Sequence, residues 1–137
     1  MLTVDNGIKY LQSCGAKITS PRIAILKLLA NRHDHPSAEQ IFQELKPAYP
    51  TLSIATVYST THLLAKGSML RVLSIDEKKV YFDPDMNAHG HFLCKCCKKL
   101  FDVRTVCDVM MSFIPSDGIS SVEDAELYYY GLCSKCA

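Results

Sequence analysis

The sequence predicts an α+β chain in two parts, a helical part ending in a hairpin and then a small α/β part clipped by cysteines. Three observations carry this. Before residue 67, four stretches read as helices, and three of them follow helix-starting residues. Two short β-like runs, 69–75 and 79–82, flank Asp76-Glu77-Lys78 as a hairpin would. Two Cys-x-x-Cys pairs, Cys94/Cys97 and Cys133/Cys136, stand on either side of residues 98–132. Each pair can offer two thiolates from a tight turn, and together they fit a closed four-cysteine zinc site. The competing reading is two unrelated pairs or a redox dithiol, but a redox motif needs only one pair.

The elements follow in order. Residues 5–14 read as a short amphipathic helix with Ile8, Tyr10 and Leu11 inward. Thr19-Ser20-Pro21 starts a second helix, a hydroxyl cap with Pro in the first turn, and 22–31 put Ile23, Leu26, Leu29 and Ala30 on one face. Ser37 with Gln40 three residues on is a capping-box pattern for a third helix that buries Ile41, Phe42 and Leu45. Pro47 and Pro50 interrupt the chain, Ser53 caps a fourth helix, and Gly67 stands at its C-cap. Helix, helix, turn, helix, hairpin is the order of a winged helix-turn-helix, with residues 53–66 in the recognition position. The exposed side of that helix is expected to offer Ser59, Thr60, Thr61, His62 and Lys66 to phosphates or base edges, and Tyr58 to a thymine methyl or a sugar. The plainer alternative makes Tyr58 core and leaves the hydroxyls solvated.

Beyond residue 82 the composition changes. Residues 83–102 hold three carboxylates, two histidines and three cysteines. His89 and His91 are two apart and share a face on a strand, with Asp83 and Asp102 flanking them. Nitrogen and oxygen donors without thiolate suit Fe(II), Mn(II) or Zn(II); the bland alternative is a solvated polar linker. Strands are expected at 91–94 and 100–103, a helix at 105–113, a turn at Pro115-Ser116-Asp117-Gly118, and strands at 119–122 and 125–132. So small a sheet buries little, so zinc is expected to supply part of its stability, and its exposed apolar surface suggests a homodimer.

Composition bounds the function. The chain has 137 residues and 48% hydrophobic content, enough for one ordinary domain or two small ones. No apolar run approaches the ~20 residues of a membrane span, and the first ten residues lack a signal-peptide profile. Seven cysteines are therefore expected to be thiols and metal ligands in a reducing cytoplasm rather than disulfides. Cys14 and Cys107 are read as small apolar residues, and Cys96 as a possible competitor for zinc. The net charge of +1 divides unevenly: ten Lys/Arg against six Asp/Glu over 1–82, five against eight over 83–137. The first part could meet a polyanion and the second attract cations.

Taken together, these motifs resemble the ferric uptake regulator family of metal-dependent bacterial repressors. The likeness runs through Thr19-Ser20-Pro21-Arg22, His35-Pro36-Ser37-Ala38-Glu39, Ala55-Thr56-Val57-Tyr58, Tyr81-Phe82-Asp83, His89-Gly90-His91-Phe92-Leu93-Cys94, Cys97 and the C-terminal pair. The resemblance implies a winged-helix DNA-binding domain (1–82), a hinge carrying metal ligands (83–90) and a dimerisation and zinc-binding domain (91–137). It implies a non-enzymatic repressor of a double-stranded operator, with structural zinc on Cys94, Cys97, Cys133 and Cys136. It adds His35 to the regulatory Fe(II) or Mn(II) ligands, giving His35, Asp83, His89, His91 and Asp102. Expected DNA contacts are Arg22, Ser53, Thr56, Tyr58, Ser59 and Thr61. Aspartates at 83 and 102 resemble the peroxide-sensing branch, in which the oxidised residues would be His35 and His89; iron-sensing members usually carry glutamates there. A plain metal-responsive regulator is the nearest alternative and a small non-haem iron enzyme the alternative of another class. The chain departs from the family pattern at Ser59, where arginine is common, and at Lys98, where glycine often follows the second cysteine.

Overall fold

The computed structural model describes residues 1–104 and 117–137, and divides the chain into two compact units, Met1–Met86 and Asn87–Ala137. No helix among the described residues is long and apolar enough to cross a membrane. The expected helix 105–113, with Cys107, lies outside the described residues.

The first unit contains α1 (Val4–Ser13), α2 (Ser20–Ala30), α3 (Ala38–Leu45), α4 (Ile54–Lys66), β1 (Arg71–Leu73) and β2 (Tyr81–Asp83). Each helix starts at a hydroxyl cap that accepts from the backbone three residues on: Thr3, Thr19, Ser37 and Ser53. Such caps each contribute about 1 kcal/mol by satisfying a helix-end N–H. Ser37 and Gln40 close the full box, and Thr3 and Asn6 form a second one. The core is Leu11, Ile25, Leu26, Leu29, Ile41, Val57 and Leu64, all fully buried. In α2 the buried residues are Ala24, Ile25, Leu26 and Leu29 rather than a face containing Ile23 and Ala30. From Ile23 to Ala30 only Lys27 is polar, so periodicity alone could not select the face of α2.

Two glycines mark close approaches. A Cβ on Gly7 would lie 2.5 Å from Leu26, where α1 meets α2. One on Gly67 would lie 2.5 Å from the Tyr10 ring. Gly67 is the C-cap of α4, but its φ is −85°; the left-handed residue is Ser68, at φ 54°. Gly67 therefore serves packing against Tyr10, not backbone handedness. The turn between α3 and α4 is closed by the Lys46 ammonium, which donates to the Pro50 and Leu52 carbonyls at 2.7 and 2.8 Å. β1 and β2 pair antiparallel, Val72 opposite Phe82. Helix-turn-helix and wing are thus both present.

The second unit is a three-stranded sheet in the order β4-β3-β5: β3 (Gly90–Cys94), β4 (Leu100–Val103) and β5 (Tyr128–Gly131). β3 runs antiparallel to β4 and parallel to β5. Residues 119–122 form no strand, and the expected run 125–132 narrows to Tyr128–Gly131. Ile119 and Val122 are 44% and 43% exposed, so neither packs as the inward face of a strand would. Within this unit only Leu93, Cys94 and Leu100 are buried apolar residues among those described.

Candidate metal centres and recognition surface

The four-cysteine cluster is built by two turns. Cys94 ends β3, and the chain folds back so that the Lys98 N–H donates to the Cys94 carbonyl at 2.9 Å and the Cys94 N–H to the Lys99 carbonyl at 3.0 Å. Closing so tight a loop puts Lys98 in the left-handed region, φ 62°. After β5 a second turn is closed by the Cys136 N–H on the Cys133 carbonyl at 3.0 Å. One sulfur from each of Cys94, Cys97, Cys133 and Cys136 lies within 4.8 Å of the others. The Cys97 and Cys133 sulfurs are 3.9 Å apart, against roughly 3.8 Å for two vertices of a tetrahedron with Zn–S bonds of ~2.3 Å. The donor set fits zinc.

The electrostatics agree. The Cys133 N–H donates to the Cys94 sulfur at 3.4 Å, and this donation leads the effects that hold the Cys94 thiol down to about 6. Cys136, crowded first by Cys133 and then by Cys97, is pushed up. Four sulfurs this close cannot all ionise without a cation among them. Cys96 is exposed and is not one of the four converging sulfurs. Cys14, read as a small apolar residue, is exposed at the C-cap of α1.

The nitrogen and oxygen donors fall into two groups. In the first unit, His35 Nε2 lies 3.4 Å from Asp83 Oδ2, and both side chains are buried. His35 holds φ 55°. The segment after it is tied to β2 by the Phe82 N–H on the Pro36 carbonyl at 2.9 Å and by a Ser37–Tyr81 bridge. The Asp85 N–H donates to Asp83 Oδ1 at 2.9 Å, leaving Oδ2 toward His35. The strand register also places Arg71 directly opposite Asp83.

In the second unit, His91 pairs with Asp102 across β3 and β4. Asp102 Oδ1 is 3.3 Å from His89 Nε2 and 3.7 Å from His91 Nε2, and the two imidazole centroids are 4.5 Å apart. The Asn87 carbonyl lies 2.6 Å from His89 Nδ1. A carbonyl only accepts, so it holds a proton on Nδ1 and leaves Nε2, on the carboxylate side, as the nitrogen that would face a metal. Arg104 donates to the other oxygen, Asp102 Oδ2, at 2.9 Å. Neutral imidazole nitrogens with carboxylate oxygens suit borderline divalent ions such as Fe(II), Mn(II) or Zn(II).

The outer surface of α4 differs from expectation. Tyr58 is 43% exposed, and Ser53 and Ser59 are exposed while Thr56 is partly so. Thr60 and Thr61, expected to face a partner, are buried. Thr61 Oγ1 donates to the Val57 carbonyl at 2.9 Å, and Thr60 Oγ1 to the Thr56 carbonyl at 2.7 Å. A threonine that satisfies its hydroxyl on the preceding turn can pack as an apolar residue, so Thr61 presents no hydroxyl to DNA. Arg22 reaches the surface of α4 through Ser59, 3.4 Å away, while its other terminal nitrogen donates to the Lys17 carbonyl at 2.7 Å. Sequence reasoning missed Glu39, which accepts the Tyr58 hydroxyl at 2.9 Å, and Arg104. Neither sits at a spacing that marks a site.

A winged helix-turn-helix joined to a thiolate-clipped sheet, with histidine and aspartate donors in both units, defines a metal-responsive DNA-binding regulator. Residues 13–128 match the ferric uptake regulator family, and the chain belongs to it. It is 28% identical to the peroxide-responsive repressor PerR of Staphylococcus aureus, over 97% of this chain and 90% of that protein. Among solved structures it is similar to the ferric uptake regulator of Francisella tularensis with iron (28% identity, TM-score 0.74, 89% of this chain and 95% of that one). It is also similar to PerR of Streptococcus pyogenes (25% identity, TM-score 0.55, 100% and 95%).

Proposed function

We propose that the protein is a cytoplasmic, homodimeric repressor that binds a double-stranded operator only when a regulatory Fe(II) or Mn(II) is held jointly by His35, Asp83, His89, His91 and Asp102. The carrying observation is the division of donors. Two stand in the first unit and three in the second, and neither group completes a coordination shell of five or six by itself. A metal that needs both groups couples its own binding to the arrangement of the DNA-binding unit, which is the content of allostery. Zinc on the four cysteines is structural. The exposed Tyr129, Tyr130 and Leu132 and an apolar groove lined by Phe92, Phe101 and Val103 support self-association of the second unit. Binding, not turnover, is the task of both metals.

Peroxide sensing is the finer part of the proposal, supported by the likeness to a peroxide-responsive repressor and by aspartates at both carboxylate positions. Fe(II), when bound, supplies the redox chemistry: one oxygen of hydrogen peroxide is added to a carbon of the His35 or His89 ring and the other leaves as water. The altered ring is a poorer ligand, the joint site is lost, and DNA is released. A metal-responsive regulator without peroxide sensing is the second reading, supported by the likeness to the iron-bound Francisella tularensis regulator.

The test is duplex binding by zinc-loaded protein carrying Fe(II) or Mn(II), before and after roughly stoichiometric peroxide, with intact mass on the same samples. Loss of DNA by the Fe(II) form alone, with one added oxygen on a peptide containing His35 or His89, is the expected result. Retention of DNA by both forms with no added oxygen would leave a metal sensor only.

A further inference from the structure

We propose that Glu39 is a positioning residue for Tyr58, and that this contact sets the selectivity of α4 for base edges over phosphates. The inference rests on the DNA-binding reading above. Tyr58 is the fifth residue of α4 and 43% exposed, and its hydroxyl donates to Glu39 Oε1 at 2.9 Å. Glu39 is the second residue of α3, whose start is fixed by the Ser37–Gln40 capping box and the Ser37–Tyr81 bridge. Its position is therefore set by the framework rather than by a mobile side chain alone.

The other carboxylate oxygen, Glu39 Oε2, is buried without a well-formed hydrogen bond, and beyond Tyr58 the carboxylate has only its own backbone N–H and Ser37 for support. Burying an unsatisfied carboxylate oxygen is costly, so a carboxylate here calls for a reason, and Tyr58 supplies one. A phenol has a single proton. With that proton committed to Glu39, Tyr58 shows an approaching duplex only ring carbons and an acceptor oxygen. Those match thymine methyls and base amino groups. They do not match a phosphate, which accepts only, and the nearby negative charge repels it further. Without Glu39 the hydroxyl would be free to donate to any phosphate, and phosphate contacts carry no sequence information. The pair also leaves its mark on the groups themselves. Tyr58 is raised, with the Glu39 contact as the leading cause, and Glu39 is lowered, first by its own backbone N–H and then by Tyr58 after the opposing effect of burial.

The experiment compares full-length, zinc- and Mn(II)-loaded wild type with Glu39→Gln, Glu39→Ala, Tyr58→Phe and the Glu39→Ala/Tyr58→Phe double variant. Each is titrated at one fixed salt concentration against a duplex that the wild type selects from a random pool and against an unrelated duplex. Glu39→Ala is expected to lower the ratio of the two affinities about tenfold, chiefly by tightening the unrelated duplex. Glu39→Gln keeps an acceptor oxygen and stays within about threefold of wild type. Removing the freed hydroxyl in the double variant restores most of the ratio, which loss of a merely structural carboxylate would not allow. Glu39→Met, which keeps the length but cannot accept, replaces Glu39→Ala if that variant melts early. A ratio unchanged in both Glu39→Ala and Glu39→Met, or a double variant as unselective as Glu39→Ala, overturns the positioning role alone. A wild type that selects no duplex in either metal form overturns the DNA-binding reading and this inference with it.

Discussion

The two donor sets differ in where their ligands come from. All four thiolates belong to the second unit and are delivered by two turns at the ends of neighbouring strands, β3 and β5. The nitrogen and oxygen donors are divided, His35 and Asp83 in the first unit and His89, His91 and Asp102 in the second. A set closed within one unit can only stabilise that unit. If one metal is held by both groups, as proposed, its binding depends on how the two units are arranged, and by linkage that arrangement depends on metal. Softness follows the same line: thiolates hold zinc tightly and permanently, while imidazole and carboxylate suit a metal that must come and go.

The largest expected effect follows from breaking the closed set. Cys133→Ser should abolish the proposed zinc site, read as loss of the single tightly held zinc by native mass spectrometry. Because the cluster clips the ends of β3 and β5 together, the second unit's melting transition should fall sharply, while the helical signal of the first unit keeps its own. A variant that still binds zinc and melts normally would remove the structural role given to the cluster. His91→Ala should behave in the opposite way. It leaves zinc and folding in place but weakens Mn(II) binding by about a hundredfold or more, because His91 is a proposed direct ligand and even outer-shell partners are worth about 10–100-fold. Competition with a fluorescent chelator measures this. Equal loss of both metals from either variant would mean that the two sites are not independent.

Arg104 gives a smaller and subtler effect. Its guanidinium occupies Asp102 Oδ2 while Oδ1 faces both imidazoles. Asp102 is thereby set up as a one-oxygen ligand. Arg104→Ala removes one donor from the second oxygen and a half-exposed positive charge from beside the site. Mn(II) affinity should rise, by less than about tenfold given the solvent screening of an exposed pair. A fall in affinity would show instead that Arg104 is needed to orient the carboxylate.

What the sequence made legible was what depends on neighbours in the chain. The Ser37–Gln40 box and the Cys-x-x-Cys turns are local, so spacing found them, and the four sulfurs do converge. The winged helix was readable for the same reason, since caps and prolines punctuate it. Thr60 and Thr61 were misplaced because threonine can hide its hydroxyl on the preceding turn, which composition does not reveal. Residues 119–122 read as a strand in sequence, but Ile119 and Val122 stand exposed rather than packed on one face. His35 was unreachable from spacing: it meets Asp83 only because β2 bonds back to Pro36 across the sequence. Resemblance to a family supplied it where local chemistry could not. Glu39 and Arg104 were invisible for the related reason that ordinary charged residues become informative only once their partners are known.

The smallest effect concerns backbone strain, which both sets contain in different places. His35 and Lys98 are non-glycine residues in the left-handed region, at φ 55° and 62°. Left-handed backbone costs an ordinary residue about 1–2 kcal/mol, and glycine avoids that while losing about 0.5–1 kcal/mol more entropy on folding. Lys98 is a bystander in its turn: it contributes a backbone N–H to Cys94, which glycine retains, and its side chain is exposed. Lys98→Gly should therefore stabilise the zinc-loaded second unit by about 0.5–1 kcal/mol, a rise of roughly 5 °C or less in its melting temperature. The same substitution at 35 would relieve similar strain and yet weaken Mn(II) binding, because there the strained residue is itself a proposed ligand. If Lys98→Gly destabilises the turn, the left-handed backbone is held by something the lysine side chain provides, and the cysteine turn is more than a passive clip.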